Sequence, residues 1–399
     1  YVHLHNHTQY SLLDGLTKVP PLISRIQQMG MSAVAMTDHG TMSGAIEFYQ
    51  SANAEGIKPI IGMEAYVAPR AHTEKDPSKD RQYFHLTMLV MDDKGYKNLM
   101  ALSTIANLEG FYYKPRIDRQ LLEKYNQGLI VLSGCIGGEV SDALRQGQYE
   151  QAREVAGWYK KVFGDRYYIE LQDHGHPAHP TSWAEQTRVN QQLLKISAEL
   201  DIPAVVTCDA HYLNHEDQEA HEILLCVQTG AFLTDENRFS LKEFELHVAD
   251  PKDIIKRWGH NHPELILNTQ KIANRCSVNI ELGNILIPEF PTPKNETEKS
   301  LLEKQVWQGL VWRYKGMERQ KSLTLTAAMA RALLDEETVA RAEYELEIVN
   351  KMGFNGYFLI VGDFINWGKD QGIVFGPGRG SAASSILAYA MRITEIDPL

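Results

Sequence analysis

Seven short apolar runs of β type, separated mostly by amphipathic helical stretches, fill the first 208 residues and restrict the fold more than any other feature. They are VHLHNH (2–7), SAVAMT (32–37), PIIGMEAYV (59–67), FHLTMLVM (84–91), LIVLSG (129–134), YYIELQ (167–172) and PAVVTC (203–208). Helical patterns such as PPLISRIQQMG (20–30), IEFYQSANAEG (46–56), YEQAREVAGWYKKVF (149–163) and WAEQTRVNQQLLKISAEL (183–200) lie between most of them. Strands alternating with helices predict an α/β class of parallel βα units, either a barrel or an open doubly wound sheet. The connection PRAHTEKDPSKDRQ (69–82) is charged and proline-containing and reads as a mobile loop.

Residues able to bind a metal collect at the ends of these runs. His5 and His7 end the first, and Asp14 follows in the next loop. Asp38 and His39 follow the second run, and Glu64 lies in the third. Cys135, His174, and the pair Asp209 and His211 follow the fifth, sixth and seventh. His85 alone begins its run. In a barrel of βα units the strand ends converge on one face, so ligands spread over 200 residues form one site there. Mixed imidazole and carboxylate ligands suit Zn²⁺, Mn²⁺ or Fe²⁺, and closely spaced metals suit phosphate-ester cleavage. Strand alternation also puts His3 on the face of His5 and His7, but His3, His174 and His176 are weaker candidates. His72, His179, His215, His221, His247, His260 and His262 lie in predicted loops or helices and read as structural or solvent-exposed.

The net charge of −11 opposes a broad grip on a nucleic-acid backbone, although bound metals would add positive charge to a local cleft. The four cysteines lie far apart without a CxxC pair and read as reduced thiols. No apolar run is long enough to span a membrane and no signal segment is present, so the expected location is cytoplasmic.

A proline-rich stretch, LGNILIPEFPTPKNETEK (282–299), marks a change to helical patterns. The expected organisation is a metal-binding domain over 1–280, a linker over 281–295 and a second domain over 296–399. In VFGPGRGSAASSILAYAM (374–391), a β-type run leads through three glycines into a helix that Ser381 would cap. Accessible amides and Arg379 make this a plausible triphosphate cradle, though it matches neither a Walker A loop nor a dinucleotide fingerprint.

The motifs LHNHTQYSLLDG, MTDHG, EAYV, SGC and CDAHY resemble those of the polymerase and histidinol phosphatase (PHP) domain. The ordered series LHNHTQYSLLDG, GIKPIIGMEAY, FNGYFLIV, GPGRGSAAS and ITEIDPL resembles the N-terminal part of the bacterial replicative DNA polymerase III alpha-subunit family over essentially all 399 residues. The resemblance implies a distorted seven-stranded (β/α) barrel of PHP type holding two or three divalent metals (Zn, Mn or Fe), followed by the first part of a mixed α/β polymerase palm. By that pattern His5, His7, Glu64 and Asp209 hold one metal. Glu64, His85 and Cys135 hold a second, and Asp14, His39 and His211 a third. Asp209, Glu64 and His7 are the candidate catalytic residues.

Family members with the full ligand set resemble metal-dependent 3′–5′ exonucleases, so a proofreading phosphoesterase is expected here. The resemblance also assigns Gly378, Arg379, Gly380 and Ser381 to the incoming nucleoside triphosphate, with Ser384 standing where the family has glycine. In the intact protein it implies Mg²⁺-dependent DNA synthesis on a primer-template from dNTPs, with a sliding clamp and other replisome subunits as partners. The polymerase aspartates are expected beyond Leu399, so these residues alone should not extend a primer. Two alternatives stand beside this reading: a free-standing PHP phosphatase acting on a small phosphorylated metabolite, and a metal-stabilised scaffold that docks proofreading partners.

Overall fold

The computed structural model describes residues 1–284 and 286–399, in two compact units, Tyr1–Glu281 and Leu282–Leu399. The expected linker over 281–295 includes residue 285, which lies outside the described residues.

The first unit contains eight strands: β1 (Ala33–Met36), β2 (Lys58–Val67), β3 (Phe84–Val90), β4 (Phe111–Tyr112), β5 (Lys114–Ile117), β6 (Leu129–Leu132), β7 (Tyr167–Gln172) and β8 (Ala204–Thr207). They form one sheet in the order β4-β5-β2-β3-β6-β7-β8, with β1 paired to the first half of β2. The N-terminal run joins β1 to the chain after β8. His3 bridges Val34 and Asn6 bridges Ala210, while the His7 amide donates to the Ala210 carbonyl at 2.7 Å. The seven predicted runs therefore form a ring, α/β and barrel-like. The first run is held by scattered bridges rather than a continuous ladder, because it contacts β1 near its start and the chain after β8 near its end.

Parallel pairing does not extend to β3, which runs antiparallel to both β2 and β6. The reason lies in the connection: residues 68–83 contain no helix, and a parallel crossover generally needs one. This direction resolves the apparent exception of His85. The start of an antiparallel strand sits at the same rim as the ends of its parallel neighbours.

Alternation along the strands then layers the inward face. Ile60, Leu89, Ile130, Tyr168 and Val205 form an apolar floor with Val2 and Leu4, covered by Ile272 and Ala273 from the helix Pro263–Arg275. Glu64, His85, Glu170 and Asp209 have the same parity, farther toward the rim. The opposite face packs against helices. In Val19–Gln28, prolines occupy the first turn, where a missing N–H costs nothing, and Leu22, Ile23 and Ile26 are fully buried. Each such side chain contributes about 1.5–3 kcal/mol on burial.

The 69–82 connection is pinned rather than mobile. Arg116, on β5, is fully buried and donates to the carbonyls of His72, Glu74, Asp80 and Gly110 at 2.8–3.1 Å. Arg70 grips Asp80 through two hydrogen bonds of 2.6 and 2.8 Å.

The described residues of the second unit form helices joined by irregular chain, with no strand among them. Helix Glu298–Lys315, opened by a reciprocal Thr297–Ser300 cap, buries Leu302, Val306, Leu310 and Val311 at its centre. The β-type run expected before the glycine turn is irregular chain, and Gly380–Ser384 forms a 3₁₀ turn. Ser385, not Ser381, caps the short helix Ile386–Ala390 by accepting from the Ala388 amide. Among the described residues of both units, no helix is long and apolar enough to cross a membrane.

Replacing Arg116 by Met should leave four buried carbonyls without their donor and lower stability by about 2–4 kcal/mol. Thermal unfolding measures that loss, and trypsin should cut between Arg70 and Arg81 sooner than in the wild type.

Candidate metal centre

Eight side chains from the rim, and a ninth from the loop after the first run, meet in one cluster. His5 Nε2 and His7 Nε2 lie 3.2 and 3.1 Å from Asp209 Oδ1. Glu64 is central: its carboxylate lies 3.3 Å from His5, 2.7 Å from His39 Nδ1 and 2.9 Å from His85 Nδ1. Cys135 Sγ approaches His85 Nδ1 at 3.5 Å. Asp14 lies 3.2 Å from His39 Nε2 and 3.8 Å from His211 Nε2. The nine predicted ligands are thus brought together, though not in three separate groups. His39, expected with Asp14 and His211, also stands against Glu64 and His85.

At the centre of the cluster, carboxylate oxygens face imidazoles without a hydrogen bond. Both oxygens of Glu64, Oδ1 of Asp14 and Oδ1 of Asp209 are buried and accept no hydrogen bond. His39 Nδ1 is also unpaired despite its 2.7 Å approach to Glu64, because the N–H direction does not fit. Buried carboxylate oxygens without donors are costly, and lone pairs aimed at a common point are what a cation relieves. The residues present fit divalent metal ions, and His/Asp/Glu donors accept several.

The backbone builds this geometry locally. Gly15 lets the Asp14 loop close on the first run, since a Cβ there would meet the Thr8 carbonyl oxygen at 2.0 Å. Asp209 adopts φ +47°, a left-handed conformation that aspartate tolerates better than most residues.

Hydrogen bonds beyond the cluster fix the imidazoles. His5 Nδ1 donates to Glu170 at 2.7 Å, which leaves Nε2 for the cluster. Ser11 spends its only hydroxyl proton on Asp38, so His7 Nδ1 must donate to Ser11 Oγ at 3.0 Å. His211 Nδ1 faces the Asp209 carbonyl at 2.8 Å, which can only accept. Three histidines therefore present Nε2 inward, the usual arrangement for orienting metal ligands. Asp38 is turned away, its oxygens taken by Thr8 and Ser11.

Without a cation the site balances its own charge. Burial alone would lower His39, but Glu64 and Asp14 outweigh it and hold the imidazole up to about 10. His5 is raised in the same way, with burial overcome by Asp209 and Glu170. His7 falls to about 3 through burial and the neighbouring His39 and His211. Burial would raise Glu64, yet His85 and His39 hold it well below the carboxylate range. Burial, followed by Glu64, pushes the Cys135 thiol up.

Two members escaped the sequence reading. His221, read as structural or exposed, is buried in the helix Gln218–Thr229, with Nε2 3.7 Å from Asp14 and no hydrogen bond. Helical periodicity gave no hint of it. Glu170 left a signal, a carboxylate inside the apolar run YYIELQ. It is fully buried and takes hydrogen bonds from His5, Thr87, Thr207, Gln172 and the Gly134 amide. Of the weaker candidates, His3 bonds the Ala249 carbonyl, His176 pairs with Glu245, and His174 is buried against Phe244.

In the second unit, Gly378 and Gly380 have positive φ, at +126° and +59°. The turn from Gly378 to Ser381 is held at its base by the Glu395 amide bonding the Pro377 carbonyl at 2.7 Å. Glu395 is paired with Arg313 and Lys369, and Asp397 accepts from Tyr314, so these two carboxylates do not form a metal pair.

Glu170→Gln keeps the side chain's shape but replaces an acceptor oxygen by a donor, so the five buried hydrogen bonds cannot all form. Stability should fall and His5 should lose its fixed orientation. Metal affinity should fall about 10- to 100-fold, measured by competition against a chromophoric chelator.

Two family models match the chain: the PHP domain over residues 3–174, and the bacterial DNA polymerase III alpha NTPase domain over residues 300–399. Relatives match it from end to end. The DNA polymerase III subunit alpha of Treponema pallidum is 42% identical over 100% of this chain and 32% of its own length. That of Borreliella burgdorferi is 41% identical over 100% and 33%, and that of Thermus aquaticus 40% over 100% and 36%. The chain thus spans about a third of the length of these relatives. Among solved structures, an amidohydrolase from Chromobacterium violaceum aligns with a TM-score of 0.25 and 14% identity, over 53% of this chain and 87% of its own. With a PHP domain followed by a polymerase III alpha domain, the chain belongs to the bacterial DNA polymerase III alpha-subunit family.

Proposed function

We propose that the PHP unit is a metal-dependent phosphodiesterase that removes nucleotides from the 3′ end of a nucleic-acid strand, within a protein that replicates DNA in the cytoplasm. The observation that carries this is the convergence of nine candidate ligands around buried carboxylate oxygens that accept no hydrogen bond. The cluster is closed at its base, where His5, His7 and Glu64 are fully buried. It is open at its mouth, where the His39, Asp14 and His85 side chains are 14, 17 and 22% exposed. A purely structural site would be closed on all sides.

Two or three divalent ions, Zn²⁺, Mn²⁺ or Fe²⁺, would supply a hydroxide near neutral pH and charge to offset that developing on phosphorus. His5, His7, Asp14, His39, Glu64, His85, Cys135, Asp209 and His211 would hold them, and Glu64 is placed to serve more than one. The chain's own contribution is orientation: Glu170, Ser11 and the Asp209 carbonyl hold three imidazoles with Nε2 inward. In the hydrolysis, the oxygen of water joins phosphorus and the P–O3′ bond breaks. The shortened strand leaves with a 3′-hydroxyl, and a 5′-monophosphate is released. Asp209, Glu64 and His7 are the proposed catalytic residues, acting from the closed base of the cluster.

In the intact protein the same reading gives Mg²⁺-dependent DNA synthesis on primer-template, with the Gly378–Ser381 turn contacting the dNTP. A sliding clamp and other replisome subunits would be its partners.

Elemental analysis of chain purified without chelator should find two or three metal equivalents, and a labelled single strand should shorten stepwise from its 3′ end. His7→Ala should lose both properties. Bound metal without cleavage would favour a structural or docking role instead.

Metal uptake should also depend on pH. His39, held up to about 10, and His5, raised above its ordinary value, keep protons that a metal must displace. Affinity should therefore rise with pH up to about 10. Calorimetry in buffers of different ionisation enthalpy should record proton release on binding.

A further inference from the structure

Asp14 and His39 line a cavity of about 320 Å³ whose other walls include Tyr10, Tyr66, Phe111, Tyr113 and Lys114. Tyr66 is buried and stacks on His39 with centroids 5.9 Å apart, so it belongs to the wall of the cluster. Phe111 and Tyr113 differ, being 53% and 60% exposed on the β4–β5 hairpin. The pairing Phe111↔Pro115 and Tyr112↔Lys114 leaves Tyr113 alone at the apex, with φ +62°. Bulky residues rarely adopt this conformation, which glycine or asparagine would supply more easily. Tyr113 touches the Tyr112 ring edge-on, with centroids 4.7 Å apart, yet stays 60% exposed. Burial therefore does not account for a strained residue there, which points to a use for its side chain.

Cations accompany the rings. Lys114 Nζ lies 5.3 Å from the Tyr66 centroid, and the Arg81 guanidinium lies 5.6 Å from that of Tyr113. Exposed aromatics and two cations thus flank the open mouth of the cluster, in a chain whose net charge is −11. A small phosphorylated metabolite would use the cations but not the exposed rings. A single strand uses both, since bases stack on aromatic faces while cations take the phosphates.

We propose that Phe111 and Tyr113, with Lys114 and Arg81, form a stacking platform for the terminal bases of a single-stranded nucleic acid whose 3′-terminal phosphodiester reaches the metal cluster. The proposal rests on the hydrolytic reading above and adds the part of the chain that selects the substrate.

The test uses the whole chain loaded with Mn²⁺. Tyr113→Asn keeps a residue that tolerates the left-handed turn, Phe111→Ala removes an exposed ring, and Tyr113→Trp restores a stacking face. One readout is kcat/KM on a 3′-labelled oligo(dT) relative to that on bis(4-nitrophenyl) phosphate. The other is the Kd of fluorescent oligo(dT) by anisotropy. The Phe111→Ala, Tyr113→Asn double variant should lower the ratio and weaken binding by about tenfold each, while Tyr113→Trp alone retains both. An unchanged Kd overturns the proposal, whatever the ratio does. If the wild type cleaves neither substrate, the hydrolytic reading fails, and the Kd of the double variant still decides the platform: weakened binding supports it and unchanged binding overturns it.

Discussion

The buried carboxylate of Glu170 is the interaction on which the first unit depends. It sits on β7 and takes hydrogen bonds from Thr87 on β3, Gly134 after β6, Thr207 on β8 and His5 on the N-terminal run. One side chain thereby joins strands that the sequence separates by up to 202 positions. A carboxylate removed from water is costly unless its lone pairs are satisfied, and this one is satisfied five times over. It also fixes which nitrogen of His5 faces the ligands, so the geometry of the centre begins one layer below it.

That layering explains why a site so polar can exist inside a small barrel. Below Glu170 the inward face is apolar and capped by a helix; above it, carboxylates and imidazoles hold one another in check. The acidic character of the whole chain therefore says little about the charge met at the mouth. Glu64 and Asp14 hold a proton on His39 there, and a bound divalent ion would displace it.

Much of this was legible in the residues. The seven runs and their intervening helices appear with small shifts at their ends, because apolar periodicity and turn residues report burial directly. All nine candidate ligands meet, because the strand ends converge on one rim. The direction of β3 was readable too: the stretch from Pro69 to Gln82 carries no helical pattern, so no parallel crossover could be built from it. What escaped depended on tertiary partners. The 69–82 connection looked mobile because its charges suit solvent, but Arg116 reaches it from a distant strand. His221 sits on an ordinary helix, and only folding brings it to Asp14. Alternation failed for His3 because the first run is bridged rather than laddered. Near Ser381 the propensities suited a helix cap, whereas the glycines fit irregular chain, and the cap passed to Ser385.

The ring closes late in the sequence. Asn6 and His7 meet Ala210, so the first and last segments of the barrel contact each other only after everything between them has been made. A nascent chain emerging from the ribosome in order would hold the early candidate ligands, His5 to His39, for a further 170 residues before Asp209 is made. Long-range closure of this kind is slow relative to local helix formation. Metal capture by the proposed centre would thus report on completed assembly: an early, half-built barrel offers scattered imidazoles, and the full set of donors exists only once the N-terminal run has met the chain after β8.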